Sequence, residues 1–131
     1  MRILMAEDDF VSRVLLQNIL SSYGDVDVTI NGLEAVEAFS LAFDEGQPYD
    51  LVCLDIMMPE MDGLEALKEI RKKEEFMGVA VSDEVKIIMT TALDSPGTIL
   101  EAYYRGGCND YLTKPVDTKR LKELLVLYGL V

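Results

Sequence analysis

The chain has no histidine among its 131 residues. That removes imidazole acid–base catalysis and most zinc sites, and it means the chain cannot itself donate a phosphoryl group from phosphohistidine. Cysteine is scarce: Cys53 and Cys108 stand in no metal-ligand spacing, each in an apolar run, and read as reduced, buried thiols. Positive charge is also scarce, with 12 basic against 24 acidic residues and a formal net charge of −12. Such a surface repels phosphate backbones and anionic membranes, so direct nucleic-acid and membrane partners are not expected. No apolar run approaches the ~20 residues of a membrane helix. The start, a short run from Ile3 to Ala6 followed by acids, has neither the basic beginning nor the long apolar core of a signal peptide. A cytoplasmic protein is the simplest inference. Half the residues are apolar, and the length suits one domain with one core, spanning 1–131.

Strand-like and helix-like segments alternate. Ile3 to Ala6 and Leu51 to Leu54 are continuous apolar runs, as expected of strands buried on both faces. Val26, Val28 and Ile30 alternate with polar residues, which suits a half-exposed edge. Val85 to Met89 and Cys108 to Thr113 read as the fourth and fifth strands. Between them lie helical stripes: Val11, Val14, Leu15 and Ile19; Ala35, Val36, Phe39, Ala42 and Phe43; Leu64, Leu67 and Ile70; Ile99 and Tyr103; Leu121, Leu124, Leu125 and Tyr128. Asp9 and Asp62 read as helix caps, with Glu65 placed as capping-box partner, and Ser95-Pro96 and Asp117 open the last two helices. Phe76 to Glu84 reads as a longish loop. Five strands alternating with five helices imply an α/β fold with a parallel sheet covered on both faces. The second and fifth strands are the most polar and belong at the edges, which fits the order 2-1-3-4-5.

In such a sheet, sites form beyond the carboxyl ends of the strands. Those ends carry Glu7-Asp8-Asp9, Asp55, Thr90-Thr91-Ala92 and Thr113-Lys114-Pro115. Two unit charges ~4 Å apart repel by roughly 4 kcal/mol at an effective dielectric near 20, so Glu7, Asp8 and Asp55 need neutralising. Lys114 supplies one positive charge. One Mg²⁺ would balance the remainder, and an all-oxygen set suits that ion. Met57, Met58 and Met61 read as loop packing, since no soft ligand accompanies them.

The ordered set of Glu7-Asp8, Asp55 to Gly63, Thr91-Ala92 and Tyr111-Leu112-Thr113-Lys114-Pro115 resembles the receiver domain of bacterial two-component response regulators, of the stand-alone, chemotaxis type. The resemblance spans nearly the whole chain. It implies a flavodoxin-like, doubly wound fold and a phospho-acceptor role for Asp55, charged by a sensor histidine kinase or a histidine phosphotransfer protein. It implies Mg²⁺ ligation by Glu7 (through water), Asp8, Asp55 and the Met57 carbonyl. Lys114, the Thr91 hydroxyl and the Ala92 backbone would contact phosphoryl oxygens. Thr91 and Tyr111 would act as the switch that changes the face of helix four, strand five and helix five for a downstream protein. The bond into Pro115 is expected to be cis. With no further module after helix five, output is expected through protein contacts, and no enzymatic activity is expected beyond self-phosphorylation and self-dephosphorylation.

Two other readings compete. A degenerate receiver would bind partners without modification, but no expected site residue is missing. An aspartate-nucleophile phosphatase would carry a second Asp where Met57 stands. Met57 and Leu93 flank the site at positions that influence acyl-phosphate hydrolysis in the family, and neither can orient a water. A long-lived acyl phosphate is therefore expected. Exchanging these residues for Asn and Glu should speed its loss in a decay assay; unchanged decay would contradict the assignment.

Overall fold

The apolar runs become strands because alternate residues serve two different cores. A computed structural model describes residues 1–92 and 96–131, except for the side chains of Pro96 and Tyr104. Its strands are β1 (Arg2–Ala6), β2 (Asp25–Thr29), β3 (Leu51–Asp55), β4 (Lys86–Thr91) and β5 (Asp110–Thr113). They form one parallel sheet in the order β2-β1-β3-β4-β5. Its helices are α1 (Phe10–Ser21), α2 (Gly32–Asp44), α3 (Gly63–Phe76), α4 (Pro96–Glu101) and α5 (Thr118–Leu127). In β1 and β3, Leu4, Ala6, Val52 and Leu54 face α2 and α3. Ile3, Met5, Leu51 and Cys53 face α1 and α5. Successive Cβ atoms point to opposite faces, so a strand covered on both sides must be apolar throughout.

The caps follow the sequence. Asp9, Asp62 and Asp117 accept from the amides of Ser12, Glu65 and Lys119. Val116 packs on the same core as Leu121, as a staple requires. Asn31 is a further cap, accepting from the Glu34 amide, while Glu34 Oε1 accepts from the Ile30 amide. Ser95 lies outside the described residues.

Several boundaries differ from the sequence reading. β2 ends at Thr29, leaving Ile30 exposed ahead of the Asn31 cap. β5 begins at Asp110: the Cys108 amide closes the preceding helix on the Ala102 carbonyl, and the Asn109 amide donates to the Ile87 carbonyl just ahead of the ladder. That helix passes from α4 into a π-helical turn over Ala102–Gly106 and ends at Gly107, whose φ of 78° is the left-handed cap glycine adopts freely. Val81–Asp83 form a short 3₁₀ turn within the expected loop. The largest difference is in α1. It buries Leu16 and Leu20, while Val11, Val14 and Leu15 of the expected stripe are exposed.

A buried acid ties α3 to the sheet. Glu74 is 2% exposed and accepts from the Val85 amide at 2.7 Å and from Arg71 at 2.6 Å. Arg71 also donates to the Gly107 carbonyl and to Asn109 Oδ1, which accepts from the Ile87 amide as well. Removing one partner of a buried pair strands the other, at a cost of about 3 kcal/mol. Glu74→Ala should therefore lower the urea midpoint substantially without changing the slope. A midpoint within error of wild type would show that the network contributes little.

Candidate functional site

The carboxyl ends of β1, β3, β4 and β5 meet at one edge, as parallel strands require. Glu7 follows β1 and is 1% exposed; Asp55 ends β3 and is 3% exposed. Asp8 is exposed in the β1–α1 turn. One carboxylate oxygen from each of Glu7, Asp8 and Asp55 lies within 4.8 Å of the others. Lys114, just after β5, donates to Asp55 Oδ2 at 3.1 Å and pairs with Glu7 Oε1. The peptide bond from Lys114 to Pro115 is cis. The Lys114 amide donates to the Thr91 carbonyl, and the Ile56 amide to the Thr90 carbonyl. These bonds lock the strand ends in register around the acids.

Burial raises the Glu7 carboxyl from 4.5 to about 7, helped by its hydrogen bond to Asp55 and the nearby Asp55 charge, against the opposing pull of Lys114. Burial alone would lower Lys114, but its bonds to Glu7 and Asp55 outweigh that and hold it above the ordinary lysine value. Three carboxylates face one ammonium, so negative charge is in excess. Asp9 is fully turned outward as the α1 cap, held below its usual value by the Ser12 amide, and stands apart from the cluster.

The remaining expected site residues fall around this centre. Met57 has an exposed side chain, and its amide approaches Asp55 Oδ1 at 3.4 Å. Thr91 is buried at the end of β4, and Ala92 is exposed beside it. Tyr111 on β5 is half-buried, with its ring edge-on to Tyr103 at 6.1 Å. Leu93 lies outside the described residues.

Two contributors were not legible as such. Arg13, one turn into α1, donates to the Glu7 and Asp8 carbonyls and so fixes the turn that presents both acids. Gly63 reads as a turn residue, yet a Cβ there would stand 2.1 Å from the Asp55 carbonyl oxygen. Its bareness lets α3 begin directly against the backbone of Asp55. Spacing from acid to base could have suggested Arg13; nothing local marks the approach at Gly63.

The Glu7 shift has a definite consequence. A carboxyl raised on folding contributes stability that is fully present below about 4.5 and lost as pH rises through about 7. With divalent cations chelated, the urea midpoint should fall between pH ~5 and ~8, and Glu7→Gln should flatten that fall. A wild-type profile as flat as that of the variant would contradict the assignment.

A family model described as the response regulator receiver domain matches residues 3–126. The chemotaxis protein CheY of Listeria monocytogenes is 36% identical over 127 residues, covering 95% of this chain and 95% of that protein. The transcriptional regulatory protein ZraR of Salmonella typhimurium is 36% identical over 124 residues, covering 94% of this chain but 25% of that protein. Among solved structures, the complex of the Saccharomyces cerevisiae phosphotransfer protein Ypd1 with the receiver domain of Ssk1 matches with a TM-score of 0.82 at 30% identity, covering 98% of this chain and 88% of that chain. The CheX–CheY complex of Borrelia burgdorferi, at 24% identity and a TM-score of 0.81, shares the fold. The chain belongs to the response regulator receiver domain family and works in two-component phosphorelay signalling.

Proposed function

We propose that residues 1–131 act as one phospho-acceptor unit in which Asp55 takes a phosphoryl group from a phosphohistidine on a histidine kinase or phosphotransfer protein. The observation that carries this reading is the buried Asp55 carboxylate, held by Lys114 beside two further acids at the open edge of the sheet. An Asp55 oxygen attacks phosphorus, the N–P bond of the donor breaks with its electron pair going to the imidazole nitrogen, and an acyl phosphate forms. Lys114 is placed to turn from the carboxylates to a phosphoryl oxygen as a compact point charge. The Thr91 hydroxyl and the Ala92 amide serve the other oxygens.

The donor set fits Mg²⁺: oxygen only, with one exposed acid and two buried ones whose charge exceeds that of Lys114. Asp8, Asp55 and the Met57 carbonyl would hold the ion, with Glu7 acting through water. Bound there, it would supply charge compensation for the phosphoryl oxygens. Arg13 holds the backbone carbonyls of Glu7 and Asp8, and so the turn that carries both acids.

The output follows from added charge. Phosphorylation brings about −1.5 to −2 charges and three acceptor oxygens to the end of β3, beside the end of β4. Drawing Thr91 inward favours a second arrangement in which Tyr111 changes its place against Tyr103, so α4, β5 and α5 present a different surface to a protein target. Phe10, Val11, Val14 and Leu15 stand exposed on α1 next to the site, and an apolar patch of this kind suits contact with the phosphodonor. No described helix is long and apolar enough to cross a membrane, and the donor and target are expected in the cytoplasm.

Incubation with acetyl phosphate, followed by intact-mass spectrometry, tests the reading. Wild type should gain one phosphoryl mass only when Mg²⁺ is present, and Asp55→Ala should gain none. A chain that takes no phosphoryl group, and binds no beryllofluoride with Mg²⁺, would be a partner-binding receiver that is not modified.

A further inference from the structure

Arg13 lies one turn into α1, half-buried, beside the turn that carries Glu7 and Asp8. A guanidinium placed near an excess of acids is expected to pair with a carboxylate. Among the described residues Arg13 pairs with none. Its Nη1 donates instead to the Glu7 carbonyl at 3.2 Å and to the Asp8 carbonyl at 3.1 Å. The Phe10 ring lies 5.6 Å from the guanidinium and limits its swing. The acids of the turn have other places: Glu7 Oε1 pairs with Lys114, and Asp9 accepts from the Ser12 amide. The Asp8 carboxylate stays open beside Asp55.

The two carbonyls have no other anchor. No backbone amide of the described residues donates to either. The Glu7 amide is held by the Thr29 carbonyl, and the chain is fixed again at the Asp9 cap. Between those points, the Arg13 bond is what holds the Asp8 backbone.

This tie has two opposed effects on a cation. The positive charge of Arg13 repels one and weakens its binding, an effect that solvent screens because Asp8 is exposed. Holding the Asp8 backbone favours binding. A free turn must be ordered when the cation arrives, and ordering one residue costs a factor of roughly five to thirty in an equilibrium. Mg²⁺ demands near-ideal ligand geometry, so it gains most from a ligand already in place.

We propose that Arg13 is a positioning residue for the divalent cation. By tying the Glu7 and Asp8 carbonyls it keeps the Asp8 carboxylate beside Asp55, and it strengthens cation binding despite its own positive charge. The inference rests on the reading of Glu7, Asp8 and Asp55 as the Mg²⁺ site.

The experiment is Mg²⁺ titration of the unphosphorylated full chain, followed by ¹H–¹⁵N NMR at the amides of Asp8, Asp55 and Met57, for wild type, Arg13→Met and Arg13→Lys. Spectra that overlay away from the turn before α1 verify that both variants fold. Arg13→Met keeps an apolar stem against Phe10 and removes charge and donor together. It should bind Mg²⁺ about fivefold to tenfold more weakly than wild type. Arg13→Lys has one nitrogen able to donate to both carbonyls, as Nη1 does, and should bind within about threefold of wild type. Lysine restores the repelling charge along with the donor, so this recovery cannot be electrostatic. Arg13→Met binding Mg²⁺ as tightly as wild type, or more tightly, would show that Arg13 acts only through its charge. That result would overturn the proposal and leave the metal site standing. An Arg13→Lys variant no better than Arg13→Met would overturn it as well. A wild type with no saturable shift up to ~50 mM Mg²⁺ would overturn the metal site itself, and the proposal with it.

Discussion

Three carboxylates held together against one ammonium are the constraint around which this molecule is organised. Glu7 and Asp55 are buried within reach of Lys114, and Asp8 adds its charge from the rim. Left to itself, such a group of acids would separate or bind protons. Burial first, and then the neighbouring Asp55, raise the Glu7 carboxyl in the direction of the second response. What prevents separation is the parallel sheet, whose strand ends are tied by backbone bonds from Ile56 to Thr90 and from Lys114 to Thr91. The excess of like charge at the strand ends is what a divalent cation would balance, and the proposed phosphoryl transfer to Asp55 rests on that balance.

The two cores on either side of the sheet have different duties. The face under α2 and α3 is closed by large residues such as Phe39, Leu67 and Ile70, and anchored at its far end by Glu74 and Arg71. It supplies a rigid bed for β3 and thus for Asp55. The face under α1 and α5 is less complete near the site, where Thr90 rather than an apolar residue meets the aliphatic wall of α1. Along β5, Tyr103 and Tyr128 both donate to Asp110, joining the helices on either side of that edge strand to a single carboxylate. Under the proposed switch, a change at Thr91 would act on a surface already cross-linked by these polar contacts.

Much of this was legible in the amino-acid sequence. Unbroken apolar runs ending in acids mark the central strands, because only strands covered on both faces are apolar throughout, and site residues collect where they end. The polar alternation in Val26 to Ile30 marked an edge. Other features resisted. In α1, Val11, Val14 and Leu15 repeat at helical spacing as well as Leu16 and Leu20 do, and periodicity cannot say which of two overlapping stripes faces the sheet. The burial of Glu74 depends on the Val85 amide, eleven residues on and just ahead of β4, a tertiary contact that no local pattern encodes, beside the local pair with Arg71. The closeness of Gly63 to Asp55 depends on where α3 docks.

The central claim, that the balanced carboxylate cluster directs a phosphoryl group to one particular acid, is tested most directly by locating the modified atom. Phosphorylated protein treated with borohydride converts its acyl phosphate to homoserine, which peptide sequencing by mass spectrometry can place. The account predicts homoserine at position 55 alone. Homoserine at position 8 or 9, or 5-hydroxynorvaline at position 7, with Asp55 unmodified, would contradict it.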